Sequence, residues 1–330
     1  MPTWGELLQE LKNLRAEVQQ QAEANPGFQS PAPVDLLRRK YMDALAKRTG
    51  RSVIIYATAW MEGRPGQGDA VSIQLGDQHG FMEACSNLTD SRELDLILHS
   101  PGGSAEAADA MMAYLRSQFD SIRAIVPVAA MSAATMMALA CDSIVMGDHS
   151  QLGPIDPQFT IFTPEGPRSA PGQAIEDQFE RAKRECGESK DNIAAWLPIL
   201  RSYAPGLLTL CDHQQQLAKD FAAKALAEHM LSDEAGAEKK ANDIADWFAD
   251  FKEFRSHGRR VGRKEAEEQG LTVESLEADS DLQDAILSVH HATQHTFSNT
   301  ATAKIVENHK GRAWLQTVQP VLVGQPAGGP

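Results

Sequence analysis

Leu7, Leu8, Leu11, Leu14 and Val18 recur at the spacing that lines one face of a helix, and they predict a helix over Trp4–Ala24. Asn25-Pro26-Gly27 stops it, and Ser30-Pro31-Ala32-Pro33 reads as a linker to a second helix over Val34–Arg48. The pattern then changes period. Ser52–Thr58 (SVIIYAT), Leu94–His99 (LDLILH), Ile122–Val128 and Ser143–Met146 are short, β-branched or apolar runs bounded by turn residues, which is how buried strands read. Between them lie a glycine-rich loop over Glu62–Asp69 and helical stretches over Asp77–Thr89, Ala105–Phe119 and Ser132–Ala140. Strands alternating with helices imply parallel pairing with helices on both faces of a sheet, an α/β domain.

The second half is helical. Helices are expected over Ala174–Cys186, Ile193–Leu200, Leu207–His229 and Ala237–Phe251. A short one follows at Glu265–Gln269, stopped by Gly270, and a long one at Asp281–Phe297 with Ser280 as its N-cap. This divides the chain into a helical arm over residues 1–50, suited to packing or oligomerisation, a main domain over 51–323, and a disordered tail over 324–330.

Composition narrows the class of function. Lys and Arg total 31 against 45 Asp and Glu, a formal net charge of −14, which disfavours phosphate backbones and anionic membranes as general partners. Ile125–Cys141 carries no charge, but its 17 residues fall short of a bilayer and include Pro127, Ser132 and Thr135, so a strand, a turn and a buried helix fit better than a membrane span. Cys85, Cys141, Cys186 and Cys211 form no C-x-x-C pair, and Met1–Glu6 lack the basic stretch and apolar core of a signal peptide; reduced thiols in a cytoplasmic protein are expected.

Three segments could carry chemistry. His99-Ser100-Pro101-Gly102-Gly103-Ser104 joins a strand to a helix, and its paired glycines let a ligand approach backbone N–H groups that could hold an oxyanion; a plain turn is the competing reading. Ala129-Ala130-Met131-Ser132-Ala133-Ala134-Thr135 puts a serine at a helix N-terminus, where negative charge is favoured and where an ordinary N-cap serine would also sit. In Gln151-Leu152-Gly153-Pro154-Ile155-Asp156-Pro157-Gln158, two prolines stiffen the backbone around Asp156, suiting it to orient a histidine or simply to form a turn. No phosphate-cradling G-x-x-x-x-G-K-[ST] or strand-following G-x-G-x-x-G is present.

In their order and spacing these segments resemble the Clp proteolytic subunit and signal peptide peptidase A group, and more closely the serine dehydrogenase proteinase family. Ser256-His257-Gly258, Glu265–Leu271 and Lys304-Ile305-Val306-Glu307-Asn308-His309 extend the likeness over about residues 50–310. The resemblance implies a Clp/crotonase-like spiral of ββα units with added N-terminal and C-terminal helices, a homo-oligomer, and a serine peptidase cleaving peptide or protein substrates. It implies Ser132 as nucleophile and an oxyanion hole from Gly102, Gly103 or Ala133, with no metal or organic cofactor.

The general base is left open. The Clp subunit's catalytic histidine would fall near Ile155-Asp156, where no histidine stands, so His257, Lys183 and His149 compete, with Asp156 available to orient a histidine. Two other functions remain: a crotonase-like enzyme acting on acyl thioesters, and a non-catalytic scaffold or adaptor. His290, His291 and His295 share one helix and read as a solvated or interface cluster, and the basic run Arg259–Lys264 as a solvated loop. Met111, Met112, Met131, Met136 and Met137 read as core and pocket lining.

Overall fold

The computed structural model describes residues 3–25, 27–63, 68–163 and 166–318. The tail over 324–330 and part of the glycine-rich loop lie outside them. Helices α1 (Trp4–Ala24) and α2 (Pro33–Thr49) precede β1 (Ser52–Thr58). Then come α3 (Gln78–Cys85), β2 (Glu93–His99), α4 (Ala105–Gln118), β3 (Ser121–Val126), β4 (Ala129–Ala130), α5 (Ala133–Leu139), β5 (Ser143–Met146) and β6 (Gln151–Leu152). An antiparallel pair, β7 (Gln158–Thr163) and β8 (Gly166–Pro171), leads to α6 (Gly172–Glu188), α7 (Asn192–Leu200), α8 (Leu207–Glu228), α9 (Ala237–Ala249), α10 (Phe251–Phe254) and α11 (Arg263–Glu268). The chain continues through β9 (Val273–Ser275), α12 (Ser280–Asn299), β10 (Thr302–Asn308) and β11 (Ala313–Thr317).

Seven strands form one sheet in the order β11-β10-β1-β2-β3-β5-β9, parallel from β1 to β9 and antiparallel at the β10 and β11 edge. The alternation of side chains explains why its central strands read as continuous apolar runs. Ile54 and Tyr56 of β1 enter one core, while Val53, Ile55 and Ala57 enter the other. Leu94, Leu96 and Leu98 of β2 likewise face the first core and Ile97 the second. Both faces are covered, so neither can be polar. The first core is closed by α3, α4, α5, α8 and α9, the second by α2 and α12, and α1 adds a third cluster in which Leu7 and Leu11 meet Val34, Leu37 and Ala292.

A second row of short pairings stands beside the sheet and builds the ββα spiral. β4 pairs with β6 in parallel, Ser100 bridges to Ala130 on one side, and Leu152 bridges to Val261 on the other. Ser100 N–H donates to Ala129 O at 3.1 Å and Met131 N–H to Ser100 O at 3.0 Å. Leu152 and Val261 exchange both N–H···O bonds, at 2.9 and 2.8 Å. Four distant segments of the chain are thereby held side by side.

Several sequence expectations needed correction. β7, β8, β9, β10 and β11 were not anticipated. In β10, Lys304, Glu307 and Asn308 are fully buried, which a polar-looking run does not suggest. Each has a distant partner: Lys304 Nζ donates to Asp77 at 2.7 Å and Ser72 O at 2.7 Å, Glu307 accepts from Arg38 and Arg39, and Asn308 donates to Ala84 O at 2.6 Å. The helix expected over 77–89 spans only Gln78–Cys85, because Asp77 is taken by Lys304 and Tyr56 and does not cap it, and Ser86 bonds back to Glu83 O. The cap of α12 is Asp279, whose carboxylate accepts from Asp281 and Leu282 N–H, and Ser280 is already helical. His290 and His295 are buried rather than solvated, His295 against Trp4 of α1 and His290 against His99. Ile125–Cys141 is the buried strand, turn and helix expected, and among the described residues no helix is long and apolar enough to cross a membrane.

Candidate active site

Ser132 sits at the step from β4 to α5 with φ 53° and ψ −121°. Positive φ crowds any side chain, and among the described residues only Ser132 and Arg255 adopt it without being glycine. Its hydroxyl makes no capping bond to α5, so the ordinary N-cap reading fails. Such strain, at a sharp strand-to-helix turn, is retained where a nucleophile must be presented. The turn is held from outside: Thr135 Oγ1 donates to Ala130 O at 2.8 Å and accepts from Gly153 N–H at 2.9 Å.

The glycine turn packs directly on this serine. A Cβ at Gly102 would lie 2.6 Å from Met131 O and 2.7 Å from Ser132 Cβ, and one at Gly103 would lie 2.4 Å from the backbone of Ile73. Both glycines have positive φ, 99° and 152°. Gly102 N–H donates to Ser100 Oγ at 3.2 Å. Neither Gly103 N–H nor Ala133 N–H has a partner among the described residues, and both residues line the cavity that Ser132 also lines. Of the expected oxyanion donors, those two are open to a ligand and Gly102 is engaged within its own turn.

His257 lines the same cavity, whose volume is 460 Å³. Its Nδ1 lies 2.8 Å from Asp156 Oδ1, while Gln158 Nε2 donates to Oδ2 at 2.7 Å. Asp156 is 2% exposed. An ionised carboxylate can only accept, so Nδ1 carries the proton and Nε2 is the basic nitrogen. The short pairings explain the meeting: Ser132 follows β4, Asp156 follows β6, and His257 precedes the Val261 bridge to β6.

The other expected bases lie elsewhere. Lys183 is on α6, more than half exposed, paired with Glu180 at 2.8 Å, and does not line the cavity. His149 is exposed on the loop between β5 and β6 and does not line it either. Sequence reasoning gave no role to Ser100, Thr135 or Glu106. The first two fix the glycine turn and the serine turn, and Glu106 lines the cavity. The motif Lys304–His309 spans the end of β10 and the residue after it, and it supplies the buried ion pairs already described, together with a bond from Val53 N–H to His309 Nδ1 at 3.2 Å.

Parts of the chain are similar to known proteins. Two uncharacterized proteins of Methanocaldococcus jannaschii are similar in sequence. One is 27% identical over 209 residues, covering 62% of this chain and 61% of its own length. The other is 34% identical over 86 residues, covering 26% and 30%. The chain thus spans less than two thirds of either relative. Among solved structures, the 1510-N membrane-bound stomatin-specific protease, as a serine-to-alanine mutant, is similar at 14% identity and TM-score 0.39, covering 65% of this chain and 79% of that one. Its lysine-to-alanine mutant in complex with a substrate peptide gives 14% and 0.38, covering 61% and 70%. Residues 70–168 match the sequence profile described as ClpP-like SDH-type serine proteinase. That segment carries the glycine turn, the strained serine and the buried aspartate, and it is similar to the ClpP-like SDH-type serine proteinases.

Proposed function

We propose that this protein is a serine peptidase that cleaves peptide bonds through an acyl-enzyme on Ser132. The observation that carries the reading is the shared cavity: the strained serine, two open N–H groups and an aspartate-oriented histidine line or border one space. In the first step Ser132 Oγ attacks the scissile carbonyl carbon while its proton passes to His257 Nε2. The resulting oxyanion is held by the N–H groups of Gly103 and Ala133, worth roughly 3–4 kcal/mol per donor. Asp156 stabilises the imidazolium. The C–N bond then breaks, the amine leaves with the proton from His257, and a water molecule activated by the same nitrogen releases the acyl group. No hydrogen bond between Ser132 and His257 is present among the described residues, so this reading has the contact form when substrate closes the site.

The finer elements of the reading are a homo-oligomer and a cytoplasmic location. The four cysteines are unpaired, as a reducing compartment favours. Fluorophosphonate labelling followed by peptide mapping tests the function: the adduct is expected on Ser132 and is lost in Ser132→Ala. Labelling that persists in that variant removes the serine assignment.

A further inference from the structure

The cavity contains a carboxylate with no catalytic duty. Glu106, in the first turn of α4, lines it and is exposed, which places it at the rim. Its Oε2 accepts from Ser104 Oγ at 2.8 Å, and its Oε1 accepts from Gln214 Nε2 of α8 at 3.2 Å. Both partners are neutral. Among the described residues no lysine or arginine lines the cavity, and Glu106 is the one carboxylate that does.

An acidic residue in the first turn of a helix is common, because it complements the helix dipole. That role requires nothing from α8. Here a side chain 108 residues further on reaches across to fix the carboxylate in one place. Each oxygen receives one side-chain hydrogen bond and keeps acceptor capacity for another donor. The backbone N–H of Glu106, then Ser104, holds its carboxyl below the usual range, so it is charged at neutral pH. The net charge of −14 draws cations in the same direction. The same cavity presents Met136, Ile155, Phe159 and Leu210, which suit an apolar side chain.

We propose that Glu106 is a specificity residue that selects peptides bearing a lysine or arginine a few residues from an apolar one. This rests on the reading of the cavity as a peptide site. The cationic side chain donates to the carboxylate at the rim while the apolar side chain occupies the inner wall.

Binding can be measured without turnover in Ser132→Ala. Fluorescein-labelled decapeptides would carry one central leucine, with lysine, glutamine or glutamate placed in turn at each other position, and fluorescence anisotropy would give Kd. At one or two positions lysine is expected to bind about fivefold tighter than glutamine, and glutamate weaker than both, the size of a partly exposed charge pair. Adding Glu106→Gln should bring lysine and glutamine level, and Glu106→Lys should turn the preference toward glutamate. Equal Kd values for the three series overturn the inference, as does Glu106→Gln weakening all peptides alike. The two readings fail separately. A lysine preference without phosphonate labelling of the wild-type protein removes the peptidase step and keeps the recognition. Labelling of Ser132 without any charge preference removes only the role of Glu106.

Discussion

His257 Nδ1 lies 2.8 Å from Asp156 Oδ1, although the two residues are 101 positions apart in the chain. The pair joins the segment after β6 to the segment before Val261, and it fixes which nitrogen of the imidazole can take a proton. An arrangement in which the proposed base is oriented and its competitor is exposed has direct consequences for mutants.

The first concerns the choice of base. His257→Ala is expected to slow phosphonate acylation by about a hundredfold or more, the usual size of a general-base effect. Lys183→Ala, which removes an exposed ion pair with Glu180 and a contact with the Phe179 ring, should change it by less than about threefold. Stopped-flow or gel-based labelling rates distinguish the two, and the reverse order would transfer the role to Lys183.

Asp156→Asn should also slow acylation strongly while leaving the fold intact. The amide can offer N–H to Nδ1 and so favour the tautomer that leaves Nε2 protonated. Loss of about a thousandfold in acylation rate is expected, with an unchanged circular dichroism spectrum. Retention of the wild-type rate would show that the aspartate only secures the loop.

Gly102→Ala probes the contact between the two turns. The new methyl would meet Met131 O and Ser132 Cβ well inside van der Waals distance and would force a side chain into a φ of 99°. Displacing the nucleophile by about 1 Å costs on the order of a hundredfold in rate. Labelling kinetics and a thermal melt on the same sample separate lost geometry from lost fold.

Stability should fall in mild acid because of His99. This residue, 1% exposed at the end of β2, has no hydrogen-bond partner among the described residues for either ring nitrogen, and burial lowers its pKa to about 4. His290, its T-shaped neighbour at 5.0 Å, is pushed well down by burial, then by His99 and other histidines. In the unfolded chain a histidine takes its proton near pH 6.5. Between about pH 6.5 and 4 the unfolded state therefore binds more protons, so the stabilisation is complete above 6.5 and is lost as pH falls toward 4. The loss from His99 is on the order of 3 kcal/mol. Urea unfolding from pH 7 to 4 should show it, and His99→Phe should flatten the slope; an equal slope in the variant refutes the assignment.

Assembly is the last expectation. No residue of α7 is buried, and Ile193, Leu197 and Ile199 are 46%, 43% and 39% exposed. A surface helix of this apolarity is stable in water when another surface covers it. Light scattering at micromolar concentration should return a multiple of the chain mass, and Ile193→Glu with Leu197→Glu should reduce it. A wild-type monomer would contradict this.

What could be read directly from the chain follows a physical line. β1, β2, β3 and β5 were legible because both faces of a parallel sheet are buried, which writes a continuous apolar run into each strand. The glycine turn and the serine turn were legible because their demands are local: positive φ at Gly102 and Gly103, and small residues around Ser132. β10 was not, since Lys304 and Glu307 look solvated until Asp77 and Arg38 are brought beside them across more than 200 positions. Which candidate base meets the buried aspartate was not either. His257 and Lys183 are both plausible proton acceptors by composition, and only the Leu152–Val261 bridge brings one of them beside Asp156 and into the wall of the cavity, while α6 carries the other to the surface. Proton transfer requires contact within about 3 Å, and contact between residues so far apart along a chain is a property of the packed fold.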